Sequence, residues 1–304
     1  MIEESVKPQT QKSFVKCNQC GADDTKLHLA VSGFNIVRCK RCNLTYVNPR
    51  LTEEKIFEIY NKNYFDGAGT NQYYANYLAE RDWRSKEQDK ELLNLMKYKE
   101  GGKLLEIGCA FGFFLEAAKK RGWAARGVEI SEKAGTFAKN ELKFDVFIGT
   151  FMDAPLPENT FDAIHMDGVI EHLPDPKANI QKCAKLLKKG GVIGMGTPNI
   201  ASFGARTFGE GFRLLEPNAH LFYFAPATLG RMLTENGFEI IHVRYPYFNT
   251  PYCSAKELKN LAVCLWKLWV AFPLTKLFNP SFQKPVLKSP PFYGNRMMIY
   301  ARKK

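Results

Sequence analysis

The sequence has few acidic residues, and it lacks the uninterrupted apolar runs and internal repeats that mark membrane and fibrous proteins. Asp and Glu total 31 against 43 Lys and Arg, which gives the 304 residues a net charge of +12. Hydrophobic residues make up 45% and charged residues 24%, so collagen-like, coiled-coil and wholly disordered classes are excluded. The positive surplus favours anionic partners but identifies none of them.

No apolar run of the secretory-signal type follows the first charged residues. The apolar segment near the C-terminus is interrupted by Lys267, Pro273 and Lys276, so no membrane span is predicted there. Eight cysteines without an export signal favour a reducing compartment, in which cysteines bind metal, react or pack. We therefore expect a cytoplasmic protein.

Four of the cysteines form two close pairs. Cys17-x-x-Cys20 and Cys39-x-x-Cys42 are separated by 18 residues, the spacing of two knuckles that enclose one zinc ion. Four thiolates complete a tetrahedral shell, so the predicted zinc is structural and has no open position for substrate. Two disulfides or free thiols are the alternative.

From Lys103 onward, short apolar strands alternate with helices, which is typical of a parallel sheet. Ser131 and Asp175 precede two of these helices and are predicted to cap them. The fifth strand is predicted at 192–197, after a helix that continues through Lys189. Residues 27–37, between the cysteine pairs, form an apolar, strand-like segment.

Two acids and two glycines stand at the ends of the first two strands of this sheet. Glu106 precedes Gly108-x-x-x-Gly112, which lacks the GxGxxG spacing of a dinucleotide loop and carries an acid that would repel a pyrophosphate. Seventeen residues after Gly112, Glu129 can accept hydrogen bonds from both hydroxyls of a ribose. A nucleoside with a cationic tail fits this pattern, and S-adenosylmethionine is such a molecule.

Residues 103–245 resemble the class I S-adenosylmethionine-dependent methyltransferases. The similarity lies in the glycine loop and in four further segments, at 149–157, 160–164, 169–176 and 186–191. The resemblance implies an α/β fold, a Rossmann-like seven-stranded sheet with helices on both faces. A small zinc-ribbon-like module would precede this sheet.

The resemblance also implies a cofactor site. Glu106, Gly108 and Gly112 would shape the methionine pocket, Glu129 would bind the ribose, and the adenine would lie against 150–152. The predicted cofactor residues are Glu106, Gly108, Cys109, Ala110, Phe111, Gly112, Glu129, Ile130, Thr150, Phe151, Met152 and Asp167. Ala110 replaces the usual middle glycine, which requires a negative φ. Thr150 stands where an acid often contacts the adenine.

We predict six parts along the chain. They are a flexible N-terminus (1–13), a zinc module (14–50), a helical linker or lid (51–100) with a loop at 60–77, the cofactor-binding core (101–250), an apolar helical insertion (251–290) and the last strand of the core (291–304).

The zinc module, with the aromatic residues that follow it (Tyr60, Tyr64 and Phe65), resembles bacterial methyltransferases of sugars and cell-surface glycans. The expected acceptor is a sugar, nucleotide-sugar or related small molecule, methylated at oxygen or carbon. Ribosomal RNA methyltransferases also join a zinc module to this core, so RNA is an alternative partner, and a quinone or lipid is another. A third possibility is a cofactor-binding regulatory protein without methyl transfer. The sequence does not predict the oligomeric state.

Histidine is the usual base near neutral pH. His220, on a long segment after the fifth strand, and His172, beside Glu171 after the fourth, are the candidates, and Tyr223 is predicted to line the acceptor site. Within 256–278, one helical face carries Leu258, Leu261, Leu265, Trp269 and Phe272. We expect this face to pack on the core; peripheral contact with a membrane is the alternative.

Overall fold

The computed structural model describes residues 12–62, 77–250 and 252–304. The predicted flexible N-terminus and the predicted loop at 60–77, with its Tyr64 and Phe65, lie largely outside the described residues.

Strands and helices alternate over most of the described chain. The strands are β1 (Lys12–Ser13), β2 (Thr25–Val31), β3 (Phe34–Cys39), β4 (Thr45–Val47), β5 (Arg50–Leu51), β6 (Lys103–Ile107), β7 (Ala124–Glu129), β8 (Asp145–Ile148), β9 (Phe161–Asp167), β10 (Leu187–Pro198), β11 (Phe222–Tyr223), β12 (Phe238–Arg244) and β13 (Arg296–Lys303). The helices are α1 (Glu53–Lys62), α2 (Arg81–Met96), α3 (Phe113–Lys120), α4 (Glu132–Asn140), α5 (Pro176–Leu186), α6 (Phe203–Phe208), α7 (Pro226–Glu235), α8 (Ala255–Trp266) and α9 (Phe272–Phe278).

The main sheet has seven strands in the order β12-β13-β10-β9-β6-β7-β8. Neighbours from β10 to β8 are parallel, and β13 runs antiparallel to both β10 and β12. The predicted Rossmann-like seven-stranded fold is thereby confirmed. The strand order reverses between β6 and β9, and doubly wound sheets bind their ligands outside the strand ends at such a point.

Local sequence explains the elements next to that point. In β6 every residue after Lys103 is buried, because a central parallel strand is covered on both faces. Ser131 Oγ accepts a hydrogen bond from the Ala134 amide, and Asp175 Oδ1 accepts one from the Ala178 amide at 2.9 Å. Both predicted caps are confirmed.

Three boundaries differ from the sequence prediction. The predicted fifth strand lies inside the longer β10, and α5 ends at Leu186 rather than Lys189, because the chain joins the sheet before a register shift at Val192. The segment 27–37 is a hairpin of β2 and β3. Its two turn residues, Ser32 and Gly33, both have positive φ, as in a type I′ turn.

The N-terminal strands are continuous with the rest of the protein. A second sheet has the order β11-β4-β3-β2, so its edge strand comes from residues that follow β10 of the main sheet. The Val47 amide donates a hydrogen bond to the Leu221 carbonyl at 2.9 Å. Cys17, Cys39 and Cys42 belong to the same buried apolar cluster as residues of β6, so the cysteine region shares its core with the main sheet.

The predicted inward face of the 256–278 helix is correct at Leu261 and wrong at Leu258 and Trp269. α8, one π-helical turn (Lys267–Ala271) and α9 form a continuous helix, Ala255–Phe278, which is long and apolar enough by length and composition to cross a membrane. Leu261 and Leu268 are buried beside Phe208, whereas Leu258 and Trp269 are exposed. Leu268, seven residues after Leu261 and therefore on the same helical face, takes the inward position that the sequence analysis assigned to Trp269.

Candidate active site

The loop after β6 needs its two glycines. Gly108 and Gly112 have φ of +74° and +83°. A Cβ atom would lie 2.4 Å from Val169 Cγ2 at the first and 3.1 Å from Ala138 Cβ at the second. The backbone therefore turns sharply here, at the edge where the sheet order reverses.

The backbone of Ala110 differs from the expected conformation. Its φ is +45°, in the left-handed region that favours glycine, so the expectation of a negative φ is wrong. The Ala110 amide donates a hydrogen bond of 2.7 Å to Glu129 Oε2, and this contact holds the loop in that conformation.

Glu129 joins the tips of two neighbouring strands. Its carboxylate is buried and accepts hydrogen bonds from the amides of Ala110 and of Ser131, the latter at 2.8 Å. Burial raises the pKa of Glu129, and these amide donors oppose the rise. Each carboxylate oxygen has a further lone pair, so two ribose hydroxyls can still bind.

Glu106 is also buried, one residue before the end of β6. Burial raises its pKa to about 7, and its Oε1 lies 3.7 Å from Nδ1 of His165. The His165 ring stacks on Phe114 with centroids 3.8 Å apart, which fixes the pair inside the sheet. Within the described ranges Glu106 Oε2 has no hydrogen-bond partner, so this oxygen is available to a ligand.

The segment predicted to face the adenine is held by a lysine. Lys182 Nζ donates hydrogen bonds to the carbonyls of Phe151, Met152 and Ala154, at 2.8 to 2.9 Å. Phe151 is buried and Met152 half exposed, while the Thr150 hydroxyl donates to Asp153. Sequence reasoning missed Lys182, because a lysine on a helix is usually solvated.

A cavity of about 390 Å³ opens at the ends of β9, β10 and β13 and is walled by α2. Of the predicted cofactor residues, Asp167 lines it; of the predicted catalytic residues, His172 and His220 do. Carboxylates, arginines and aromatic rings make up most of its lining. They are Glu80, Glu87, Glu91, Asp167, Glu171 and Glu216; Arg84, Arg213 and Arg296; and Tyr77, Trp83, Tyr247, Tyr252 and Phe292.

Glu171, His172 and His220 form one cluster in the wall of this cavity, with possible ligand atoms all within 4.8 Å of one another. The two imidazole rings meet edge-on, with centroids 4.6 Å apart. Their Nδ1 atoms lie 3.0 and 3.1 Å from the carbonyl oxygens of Ala219 and Leu214. A carbonyl only accepts, so Nδ1 carries the proton and Nε2 is the basic nitrogen. The spacing suits a shared proton or a divalent cation.

Burial separates the pKa values in this cluster. It lowers the pKa of His172 to about 4, and burial with the charge of His172 lowers that of His220 well below its usual value. Burial raises the pKa of Glu171 to about 7. Glu171 Oε2 has no hydrogen-bond partner among the residues that the structure describes. The sequence pointed to the histidine of this Glu-His pair, whereas the pKa of the acid is better matched to neutral pH.

Two other residues differ in their surroundings from what the sequence indicated. Tyr223 does not line the cavity; it is buried in an apolar cluster with Ile36 and Phe212, because β11 pairs with the N-terminal strands. Asp167 accepts a 2.5 Å hydrogen bond from Arg296, which the sequence analysis had not singled out.

The four predicted zinc ligands lie together. Sγ of Cys17 is 3.4 Å from that of Cys42, Sγ of Cys20 is 3.6 Å from that of Cys39, and all four sulfurs lie within 4.8 Å of one another. Tetrahedral zinc with Zn–S bonds of about 2.3 Å needs sulfurs roughly 3.8 Å apart. All four thiols are free of disulfides. The donor set therefore fits zinc.

Comparison with known proteins identifies the family to which the chain belongs. A family model described as a methyltransferase domain matches residues 78–243, which is more than half of the chain. The chain belongs to this methyltransferase family. The match covers the main sheet through β12 together with α2, and leaves out the cysteine region and the exposed helix.

Relatives and solved structures agree with this assignment. The ubiquinone biosynthesis O-methyltransferase of Thiobacillus denitrificans is 31% identical over 154 residues, which cover 46% of this chain and 65% of that protein. The chain thus matches less than two thirds of that relative's length. Methyltransferase structures from Archaeoglobus fulgidus and Thermotoga maritima have TM-scores of 0.50 and 0.51 at 22% and 21% identity. The two alignments cover 76% and 77% of this chain, and 100% and 96% of the respective matched chains.

These similarities confirm the predicted class I S-adenosylmethionine-dependent methyltransferase in fold and family. The named relative acts, by its name, in ubiquinone biosynthesis, and none of these three proteins is named for a sugar acceptor.

Proposed function

We propose that the protein transfers a methyl group from S-adenosylmethionine to an oxygen or carbon of a small molecule bound in the cavity. Glu171 carries this proposal: it is a buried carboxylate in the cavity wall with an oxygen that lacks a partner among the described residues. Its pKa of about 7 suits proton removal at neutral pH.

The cofactor would supply an electrophilic methyl group, and the chain's residues would hold it at the edge where the strand order reverses. Glu129 would accept hydrogen bonds from the ribose hydroxyls, and Glu106 would face the cationic end. Gly108 and Gly112 would let the backbone approach closely, and the segment held by Lys182 would cover the adenine.

The acceptor would be oriented by the cavity wall and lose its proton to Glu171 Oε2. His172 and His220, protonated at Nδ1, present neutral imidazoles that keep the cluster from accumulating charge. The Glu171 carbonyl accepts hydrogen bonds from the amides of Leu221 and Phe222, at 2.8 and 3.0 Å. This contact holds the segment of His220 against the base, and alignment of acceptor and base supplies much of the rate.

A sugar or nucleotide-sugar is the acceptor we favour. Six carboxylates can accept hydrogen bonds from hydroxyl groups, three arginines can bind phosphate, and aromatic rings can pack against a pyranose face. The relatives' name favours a second candidate, a quinone or other lipid O-methyltransferase. RNA is a weaker candidate, because the six carboxylates of the cavity lining would repel a phosphate backbone.

The cysteine cluster would hold a structural zinc that shapes the N-terminal sheet, and the protein would work in the cytoplasm. The chain would consist of the six parts predicted from the sequence, and the zinc module would include β11 as the edge strand of its sheet.

An acceptor screen tests the proposal. Full-length protein with radiolabelled S-adenosylmethionine would be given nucleotide-sugars, a catechol and total RNA in separate reactions. We expect label in the nucleotide-sugar reaction, loss of that label in Glu171→Gln and retention in the exposed control Glu158→Gln. Label in RNA alone, or bound cofactor without label in any reaction, would overturn it.

A further inference from the structure

The helix Ala255–Phe278 and the segment after it leave a large apolar surface in water. We call this surface the apolar ridge, defined by residues 255–288. Its half-exposed or exposed side chains are Leu258, Val263, Trp266, Trp269, Val270, Leu274, Leu277, Phe278, Phe282 and Val286. Leu277 is 73% and Phe278 85% exposed, although both are large and fully apolar. A concentration of large exposed apolar side chains in one segment marks a binding surface.

The charge of the apolar ridge indicates what it binds. Between residues 255 and 290 the chain has six lysines and one acid, Glu257. The lysines are Lys256, Lys259, Lys267, Lys276, Lys284 and Lys288, and all are exposed. Tryptophan, leucine and phenylalanine interspersed with lysine are the composition of helices that lie in the headgroup region of a bilayer. Lysines near the surface add attraction to anionic lipid.

Topology decides between lying on a membrane and crossing it. The ridge connects β12 to β13, and these strands are hydrogen-bonded neighbours in the main sheet. A single crossing would place their ends on opposite sides of the bilayer, which the sheet does not allow. The helix is also fixed to the body by Leu261 and Leu268, buried beside Phe208.

We infer that the apolar ridge docks the protein on the surface of an anionic lipid bilayer, with the helix parallel to the membrane plane. The docked surface lies next to the cavity: Trp269 packs edge-on against Phe203, with centroids 6.1 Å apart, and Phe203 contacts Phe292 of the cavity lining at 5.7 Å. A docked molecule would therefore present its cavity close to the headgroups. This inference does not depend on which acceptor is methylated.

Vesicle sedimentation tests the inference on the full-length protein. The vesicles would contain phosphatidylcholine alone or with phosphatidylglycerol. We expect stronger binding to the anionic vesicles and a partition coefficient reduced about tenfold or more in Leu277→Ser/Phe278→Ser. Phe14→Ser/Leu27→Ser, which removes two exposed apolar side chains elsewhere, should bind as the parent does. Cofactor affinity, measured in parallel, should be unchanged in every variant and shows that each is folded.

Charge-reversal variants separate the electrostatic contribution to vesicle binding from the apolar contribution. Lys267→Glu/Lys276→Glu should lose the preference for anionic vesicles, whereas Lys26→Glu/Lys139→Glu, with the same change in net charge, should keep it. Three results would overturn the inference: no sedimentation with either vesicle, equal losses in ridge and control variants, or a dimer in light scattering that Leu277→Ser/Phe278→Ser dissociates. The last would assign the ridge to a second copy of the chain.

Discussion

The amide of Ala110 and the carboxylate of Glu129 are joined by a 2.7 Å hydrogen bond that connects the loop after β6 to the end of β7. The bond fixes the direction of a buried acid at the point where the strand order reverses. The conformation of the loop and the position of the predicted ribose-binding group therefore depend on each other.

Glu129→Ala should weaken binding of S-adenosylmethionine by about 2 to 3 kcal/mol, since two hydroxyl groups would lose a charged acceptor. Isothermal titration calorimetry measures this directly. Glu132→Ala, three residues later on the exposed side of α4, is the matched control and should bind normally. Equal affinities in the parent and Glu129→Ala would remove Glu129 from the cofactor site.

Ala110→Gly should raise the free energy of unfolding by about 0.5 to 1 kcal/mol, because a left-handed φ costs alanine more than glycine. Urea denaturation monitored by circular dichroism provides the measurement. The same change in a right-handed helix, Ala178→Gly in α5, should lower stability. Destabilisation by both changes would show that the loop conformation is not strained.

His220→Ala should reduce turnover roughly a hundredfold while cofactor affinity changes little, because loss of the ring would disturb the alignment of acceptor and base. The His220 ring packs against the His172 ring, and both line the cavity wall beside Glu171. Steady-state kinetics on the acceptor found in the screen, with calorimetry for the cofactor, separates the two effects. His242→Ala, in an exposed position on β12, should behave as the parent; full turnover in His220→Ala would exclude a catalytic role.

Turnover should rise with pH and level off above about pH 7. The active form of Glu171 is the carboxylate, and burial raises its pKa to about 7, so the active fraction grows as pH approaches that value from below. Arg296 from β13 favours the charged form, whereas Asp167 from β9 opposes it, and His172 and His220 remain neutral over this range. The pH profile of kcat should lose this rise in Glu171→Gln. A pH-independent parent enzyme would contradict the assignment.

Cys39→Ser should abolish zinc binding, which elemental mass spectrometry measures against Cys253→Ser, a cysteine outside the cluster. Because β4 pairs with β11, amide hydrogen exchange should accelerate in both 45–47 and 221–223. Stoichiometric zinc in the variant, or acceleration confined to the N-terminal strands, would refute this account.

Local signals in the sequence were sufficient for the sheet, its caps and the grouping of the cysteines. Ser131, Asp175 and the CxxC pairs act over a few residues, so spacing alone places them. Glu129 could be found because parallel strands end at one edge. Tyr223 was placed wrongly because its surroundings depend on a strand pairing with Thr45, 178 residues earlier in the chain. Trp269 was placed wrongly because Leu268, seven residues after Leu261, lies closer to the centre of the inward helical face. Lys182 and Arg296 act through tertiary contacts that no motif marks.

The pairing of β11 with the N-terminal strands constrains how the chain could be shortened. A fragment that began after β5 would keep the whole match to the methyltransferase family, yet it would leave β11 as an unpaired edge and uncover Phe222 and Tyr223 to solvent. Such fragments would tend to aggregate. The cysteine region is thus an integral part of the fold, because it supplies the strands with which β11 pairs.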